Sequence, residues 1–365
     1  MAQLIVTVLV QLASIPLVFK TWKKDVWDYF IDTTGFFVYY AMTPALLRQW
    51  TTLVNAVATS ERDKVSDLLA RITTASPSNL FVNREAEAIT KALYLRKLAF
   101  VLFSGAQDQY LPLLPTVQEK LVELLKMPQL STLVHIEVYL CLRVLLCRVS
   151  GRYLSNFWPV LLTDIMSQFT SILAEKHEPS LDQISLFLAM CKFLDLLLTL
   201  ETGEFQHHQW MFITDTIDAL YGTRSDSYAL LDRMSDQLLT FGSNQAYRKG
   251  KSPIGSPTHP KRAMGTTSAT QSLASSSTAG KRPLITAGAI TSLQELEPFI
   301  HNISLHTYQA TYSLSQPDTA YIEEWLVRDL IFTTIYGNPS VAPAGTRHSA
   351  TGTRPFVLND IVSGL

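Results

Sequence analysis

Lys192 and Asp195 stand three residues apart in the otherwise apolar run Leu181–Leu200. In a helix that spacing puts both side chains on one face. Burial that moved their pKa values would suit proton transfer. The same spacing fits a buried structural ion pair, and that is the reading adopted here; an active site on the pair is the rival.

Other candidates for chemistry fail on spacing. Gly250-Lys251-Ser252 has the ending of a phosphate-binding loop, but Gln245 stands where the loop needs glycine and no apolar strand precedes it. His207-His208 and His301/His306 lack the i, i+4 spacing that places two metal ligands on one helix face. Cys141, Cys147 and Cys191 lie in apolar runs. Three cysteines make no disulfide framework, so they predict buried thiols in a reducing compartment. The sequence contains no G-x-S-x-G, H-E-x-x-H or C-x-x-C. Asn302-Ile303-Ser304 matches a glycosylation sequon, which a cytosolic chain would never present to the transferase. The expectation is a protein with no catalytic residue, cofactor or metal.

Two features suit interaction instead. Trp22 and Trp27 flank Lys23 and Lys24, and aromatic residues beside basic ones fit a membrane interface or a helix–helix contact. Between Asp236 and Glu295 there is no acidic residue but seven cations: Arg248, Lys249, Lys251, Lys261, Arg262, Lys281 and Arg282. These are the candidate contacts to an anionic lipid surface or a partner. Ser252 and Ser256, each followed by proline, are candidate phosphorylation sites that would cancel that charge. Setting those 7 of 30 cations aside leaves 23 against 31 anions, so the rest of the chain is acidic. A net charge of −1 argues against a nucleic-acid binder.

The elements that must position these residues are helices. Of 365 residues, 47% are hydrophobic and only 17% charged, enough apolar material for an extended core. Apolar residues recur at three and four rather than alternating. That predicts helices near 45–58, 61–74, 84–103, 114–126, 131–148, 155–175, 180–200, 206–220 and 226–241. Weaker ones follow at 291–313 and 319–335.

The opening run to Phe19 has no charge, yet Gln3, Thr7, Gln11 and Ser14 form one polar helical stripe and Pro16 ends it. About 15 residues fall short of the ~20 that span a bilayer. The expectation is an amphipathic helix packed on its neighbour; a membrane anchor at 1–19 is the alternative.

Ser104-Gly105 and Ser150-Gly151 lie 46 residues apart, and Pro112 and Pro159 lie 47 apart. A two-helix unit of that length falls in the HEAT/armadillo range. The fold class expected is therefore all-α, a HEAT/armadillo-like array of antiparallel helical hairpins over 1–242. Leu181–Leu200, apolar nearly all round, should lie in its middle. Residues 243–290, rich in Ser, Thr, Gly and Pro, read as a disordered basic linker. The helices within 291–336 are expected to dock back on the array, and 337–365 to form a mobile tail.

Several runs together resemble the carboxy-terminal region of the Dopey family. They are Pro16–Trp27, Asp67–Ile72, Asn79–Glu87, Leu95–Phe100, Asp108–Tyr110, Gln118–Glu123, Arg143–Leu146, Phe157–Pro159, Cys191–Leu196 and Trp210–Phe212. They stand in the family's order over roughly residues 1–215. The resemblance implies a cytosolic protein, peripheral on Golgi, trans-Golgi network and endosome membranes, that serves endosome-to-Golgi recycling without enzymatic activity. It implies an Arf-exchange-factor-related scaffold and an aminophospholipid flippase as partners. Family proteins are much longer, so the chain reads as a fragment or a truncated gene model, and binding surfaces elsewhere in them are not credited to it.

Overall fold

The computed structural model describes residues 2–31, 43–73, 84–174, 179–213, 229–238, 280–311 and 315–331. Helices begin where local chemistry permits. α1 (Ala2–Ala13) stops short of Pro16, which then opens α2 (Pro16–Ile31), since a first helical position needs no N–H donor. Before α3 (Pro44–Ser60), the extended residue Thr43 accepts a hydrogen bond from the Leu46 N–H at 3.2 Å. Glu61 alone separates α3 from α4 (Arg62–Thr73), and so short a connection folds the two back on each other. α5 (Arg84–Ser104) carries Glu85 and Glu87 in its first turn, where anions meet the positive end of the helix dipole.

α6 (Leu114–Leu125), α7 (Thr132–Arg148), α8 (Trp158–Ala174) and α9 (Leu181–Leu200) follow. α9 starts at a capping box: the Gln183 N–H donates to Ser180 Oγ at 3.3 Å, and the Ser180 N–H to Gln183 Oε1 at 2.7 Å.

α10 is a single turn, Gly203–Gln206, and α11 spans 230–238. Last come α12 (Glu297–Thr311) and α13 (Thr319–Ile331). Among the described residues the expected helix at 206–220 is instead α10 and a 3-10 turn at Gln209–Met211; its remainder lies outside them. The one expected at 155–175 starts at Trp158, after 3-10 turns at Gly151–Tyr153 and Ser155–Phe157.

α3, α5, α7 and α9 pack side by side in one row, with α4, α6 and α8 in a second row behind. α1 and α2 pack on α3; α13 crosses α5 and α7, and α12 lies on α9. The first row is thus covered on both sides. That explains why α7 buries an unbroken run from Glu137 to Leu145, and why α9 buries nearly every residue from Leu186 to Thr199. The result is an all-α array of stacked helical pairs. α9 is also the described helix long and apolar enough to cross a membrane, but 83% of its apolar window is buried within the fold.

The two Ser-Gly turns bond to one another. Asp108, at φ 61°, donates its N–H to the Arg148 carbonyl at 2.9 Å, and its carboxylate accepts from the Ser150 N–H at 2.7 Å. Arg148 Nε reaches back to the Phe103 carbonyl at 3.0 Å. At Gly105 a side chain would force Tyr110 to move, because an added Cβ would lie 2.4 Å from its ring. Tyr110 in turn donates to Asn55 of α3 at 3.0 Å.

Two expectations need correction. The basic segment read as disordered to residue 290 is ordered from Gly280 onward, as a strap. Lys281 exchanges two 2.9 Å backbone bonds with the chain at 316–318, while Ile285 and Ile290 are buried. Gly280 permits this approach, since a Cβ there would sit 2.8 Å from the Gln316 carbonyl oxygen. The opening helix packs on α2 and α3 as expected, but not with the face that its polar stripe implied. α1 buries Val6 and turns Thr7, from its polar stripe, toward Gln49 of α3 at 2.6 Å, leaving Leu4, Ile5 and Val8 exposed. As for a membrane anchor at 1–19, the 12 residues of α1 reach only about 18 Å. That is short of the roughly 30 Å hydrocarbon core.

Candidate functional site

The array carries a polar ladder. Gln49 on α3, Arg96 on α5, Arg143 on α7 and Lys192 on α9 are separated by 47, 47 and 49 residues, one repeat each. Helices packed on the first row meet every rung. Gln49 Nε2 donates to Thr7 of α1, and the three cations face α13.

Asp329 of α13 is the hub. Arg143 Nη1 donates to its Oδ2 at 2.5 Å, and Lys192 Nζ lies 2.8 and 2.9 Å from its two oxygens. Arg96 holds Glu137 through Nε and Nη2, at 3.1 and 2.5 Å. Its Nη1 donates to the Asp329 and Leu330 carbonyls at 2.9 and 3.2 Å. Those carbonyls belong to the last described turn of α13. Three cations thus meet two carboxylates and two backbone carbonyls of α13. Arg143 also lies over the Trp325 ring, 5.1 Å from its centroid, and Arg148 pairs with Glu323 at 2.5 Å.

Burial is nearly complete: the side chains of Arg96, Arg143 and Lys192 are 4–5% exposed and that of Asp329 is 12% exposed. Burial by itself would raise the Asp329 pKa, but Arg143 and Lys192 more than offset it and hold the carboxyl below its ordinary value. For Glu137 burial outweighs the neighbouring arginines and the pKa rises. Burial lowers that of Lys192 against the pull of Asp329.

The Lys192–Asp195 pair expected from the i, i+3 spacing does not form. Asp195 faces the strap, where its Oδ2 accepts the Ile285 N–H at 2.7 Å, and Trp325 Nε1 donates to the Ile285 carbonyl at 2.7 Å. Asp195 Oδ1 is buried without a hydrogen-bond partner. Burial pushes this carboxyl up to about 7 against the lowering effect of the strap amides. Between about pH 4 and 7 the folded protein therefore holds a proton that the unfolded chain releases. This group's stabilising contribution is complete below its ordinary pKa and is lost as pH rises through 7. Asp195→Asn is expected to stabilise the protein by about 2 kcal/mol more at pH 8 than at pH 5.5, by integration of that proton difference. Urea denaturation at the two pH values measures it, and equal shifts would refute it.

The same helices hold a cluster that sequence spacing missed. His135 of α7 lies 2.8 Å from Asp164 Oδ2 of α8, and Tyr139 donates to that oxygen at 2.6 Å. The partners are 29 and 25 residues apart, so no local motif announces them. The two best-formed cavities measure about 10 and 20 Å³, room for a water at most, and neither borders Lys192. Burial pushes the Cys147 thiol up to about 12 and raises those of Cys141 and Cys191 as well, the reverse of a reactive thiolate. No His/Cys/Asp/Glu group able to hold a metal occurs among the described residues.

With this geometry in place, comparison with known families is decisive: the model described as DOP1 C-terminal matches residues 1–313. The chain belongs to the Dopey (DOP1) family. It is similar to Protein dop1 of Emericella nidulans, 27% identical over 87% of this chain and 17% of that relative. It is 32% identical to Protein pad-1 of Caenorhabditis elegans over 56% of this chain and 9% of the relative, and 28% identical to Protein DOP1B of Xenopus laevis over 54% and 9%. The chain thus spans under a fifth of the length of these Dopey relatives. No solved structure matches it.

Within this Dopey region, the residues proposed from sequence as contacts are scattered. Trp27 is 4% exposed and packs on Phe30, so it is a core residue rather than a surface contact. Trp22 is half-buried edge-on to Phe19, Lys23 pairs with Glu61 at 2.8 Å, and Lys24 is exposed. Lys281 is buried and paired with Glu201 at 2.5 Å, which removes it from the candidate lipid contacts. Arg282 is half-exposed, bonded to Asp318 and lying over the Tyr321 ring. Arg248, Lys249, Lys251, Lys261, Arg262, Ser252 and Ser256 lie outside the described residues.

Proposed function

We propose that this chain is a non-enzymatic scaffold region supporting endosome-to-Golgi vesicle and protein transport, in which helix faces hold partner proteins. Membership of the Dopey family over residues 1–313 carries this reading. Its interior supports it too, since Lys192, Asp195, His135 and Asp164 are all engaged with other parts of the fold. On this reading the chain acts in the cytosol, peripheral on Golgi, trans-Golgi network and endosome membranes. Its partners are an Arf-exchange-factor-related scaffold and an aminophospholipid flippase.

Contact with an anionic membrane rests on Arg248, Lys249, Lys251, Lys261 and Arg262. Each such cation is worth about 1 kcal/mol near an anionic surface. Phosphorylation of Ser252 and Ser256 would weaken it.

Affinity capture of the tagged chain from cells, probed for both partner classes, tests the scaffold reading: co-purification of either supports it, and absence of both rejects it. Flotation with neutral and anionic liposomes at two salt concentrations tests the lipid part. The expected outcome is binding to anionic vesicles alone, lost at high salt or when those five cations are replaced by glutamine. Flotation unchanged by that replacement would remove the basic segment from the mechanism.

A further inference from the structure

The contact between α13 and the array is made largely by charged and aromatic groups. α5 and α7 bury mostly apolar side chains and share an ion pair, Arg96 with Glu137. α13 presents Trp325, Asp329, Glu323 and the Asp329 and Leu330 carbonyls to Arg96, Arg143, Arg148 and Lys192. A tryptophan and a carboxylate four residues apart, seated on desolvated arginines, is the composition of interface hot spots. The cations recur once per repeat along a row whose other rung, Gln49, is likewise met by a helix laid on the row. Stacked helical repeats offer such a row as an extended binding surface. Removing α13 would return Arg96, Arg143 and Lys192 to water, with Glu137 beside Arg96, and open a groove of net positive charge across α5, α7 and α9.

We propose that this groove is a docking site for an acidic amphipathic helix of a partner protein, and that α13 is its resident, exchangeable occupant. The incoming helix matches α13 in chemistry: an aromatic residue for the Arg143 face, an acid one turn later for Arg143 and Lys192, and backbone carbonyls for Arg96. Until displaced, α13 keeps the groove closed. The proposal gives the scaffold reading a binding face and rests on it for the existence of a partner. Partner capture can fail without affecting peptide exchange, and the reverse holds too, so the two fail separately.

Two measurements on the full chain test this. Hydrogen exchange read by mass spectrometry should show the amides of 319–331 exchanging at least tenfold faster than those of α7, as a helix that lifts while the array stays folded. A labelled peptide of residues 317–331, followed by fluorescence anisotropy, should bind the Trp325→Ala chain at least tenfold more tightly than the wild-type chain, because the resident helix is weakened and the cations are intact. The same peptide carrying Asp329→Lys should lose at least tenfold in affinity. Exchange in α13 no faster than in α7, or equal peptide binding by the two chains, overturns the proposal. Should the Trp325→Ala chain fail to fold, the wild-type exchange rates decide alone.

Discussion

Replacing Asp329 by alanine is expected to weaken the docking of α13 by about 3–5 kcal/mol, the usual result of removing one partner from a buried ion pair. The substitution leaves Arg143 and Lys192 facing each other across a desolvated gap, with both of their carboxylate contacts gone. Little packing is lost, because the Asp329 side chain is small, so the effect isolates charge. Lifting α13 would rehydrate both cations. Hydrogen exchange should therefore accelerate first in 319–331, with a fall in the urea midpoint. Asp329→Glu should recover part of the loss. A loss below about 1 kcal/mol, the range of solvated pairs, would mean that water reaches this seam.

Trp325→Ala is expected to cost a similar 3–5 kcal/mol for a different reason. The ring is 3% exposed, and its removal leaves a cavity between α13 and the strap. It also takes away the Nε1 bond to the Ile285 carbonyl and the aromatic face under Arg143. Ile285 is fixed at its N–H by Asp195 and at its carbonyl by Trp325, so one substitution releases the strap from α13 while the Asp195 bond remains. Limited proteolysis should then cut first within 280–290. Trp325→Phe restores most of the packing but not the hydrogen bond. A Phe variant as sensitive as the Ala variant would show that the bond, and not the ring, holds the strap.

These two residues mark the boundary of what spacing along a chain reveals. Trp325 lay in a visible helical pattern with Ile322, Leu326, Leu330 and Ile331, and the structure buries all of these but Ile331, which is half-buried. Which ring or charge it would meet was not visible, because Arg143 is far away in sequence and on another helix. Lys192 shows the reverse error. Local spacing paired it with Asp195, three residues on, whereas its partner is Asp329, 137 residues away. A helix as buried as α9 has a different neighbour on each side, so two polar groups on it are drawn to different elements.

The basic segment was misjudged at its end for a related reason. The overall Ser/Thr/Gly-rich composition masked Leu284, Ile285 and Ile290 near its end, and Ile285 is fixed only because Asp195 of α9 and Trp325 of α13 bond its backbone.

What the sequence by itself determined is the part governed by local rules. Periodicity marked the helices, and Pro16 marked the end of the first. The 46–47-residue spacing of the turns revealed stacked pairs, and the ordered runs from Pro16 to Phe212 pointed to the Dopey family. Several of those runs contain the seam: Arg96 in Leu95–Phe100, Arg143 in Arg143–Leu146, and Lys192 with Asp195 in Cys191–Leu196. Tertiary structure alone decided that the ladder faces α13, that Asp329 is shared by two cations, and that Asp195 clamps a strap. The physical reason is that a helix is specified by neighbours within four residues. A buried charge takes as its partner whatever the folded chain brings within about 3 Å, at any distance in sequence.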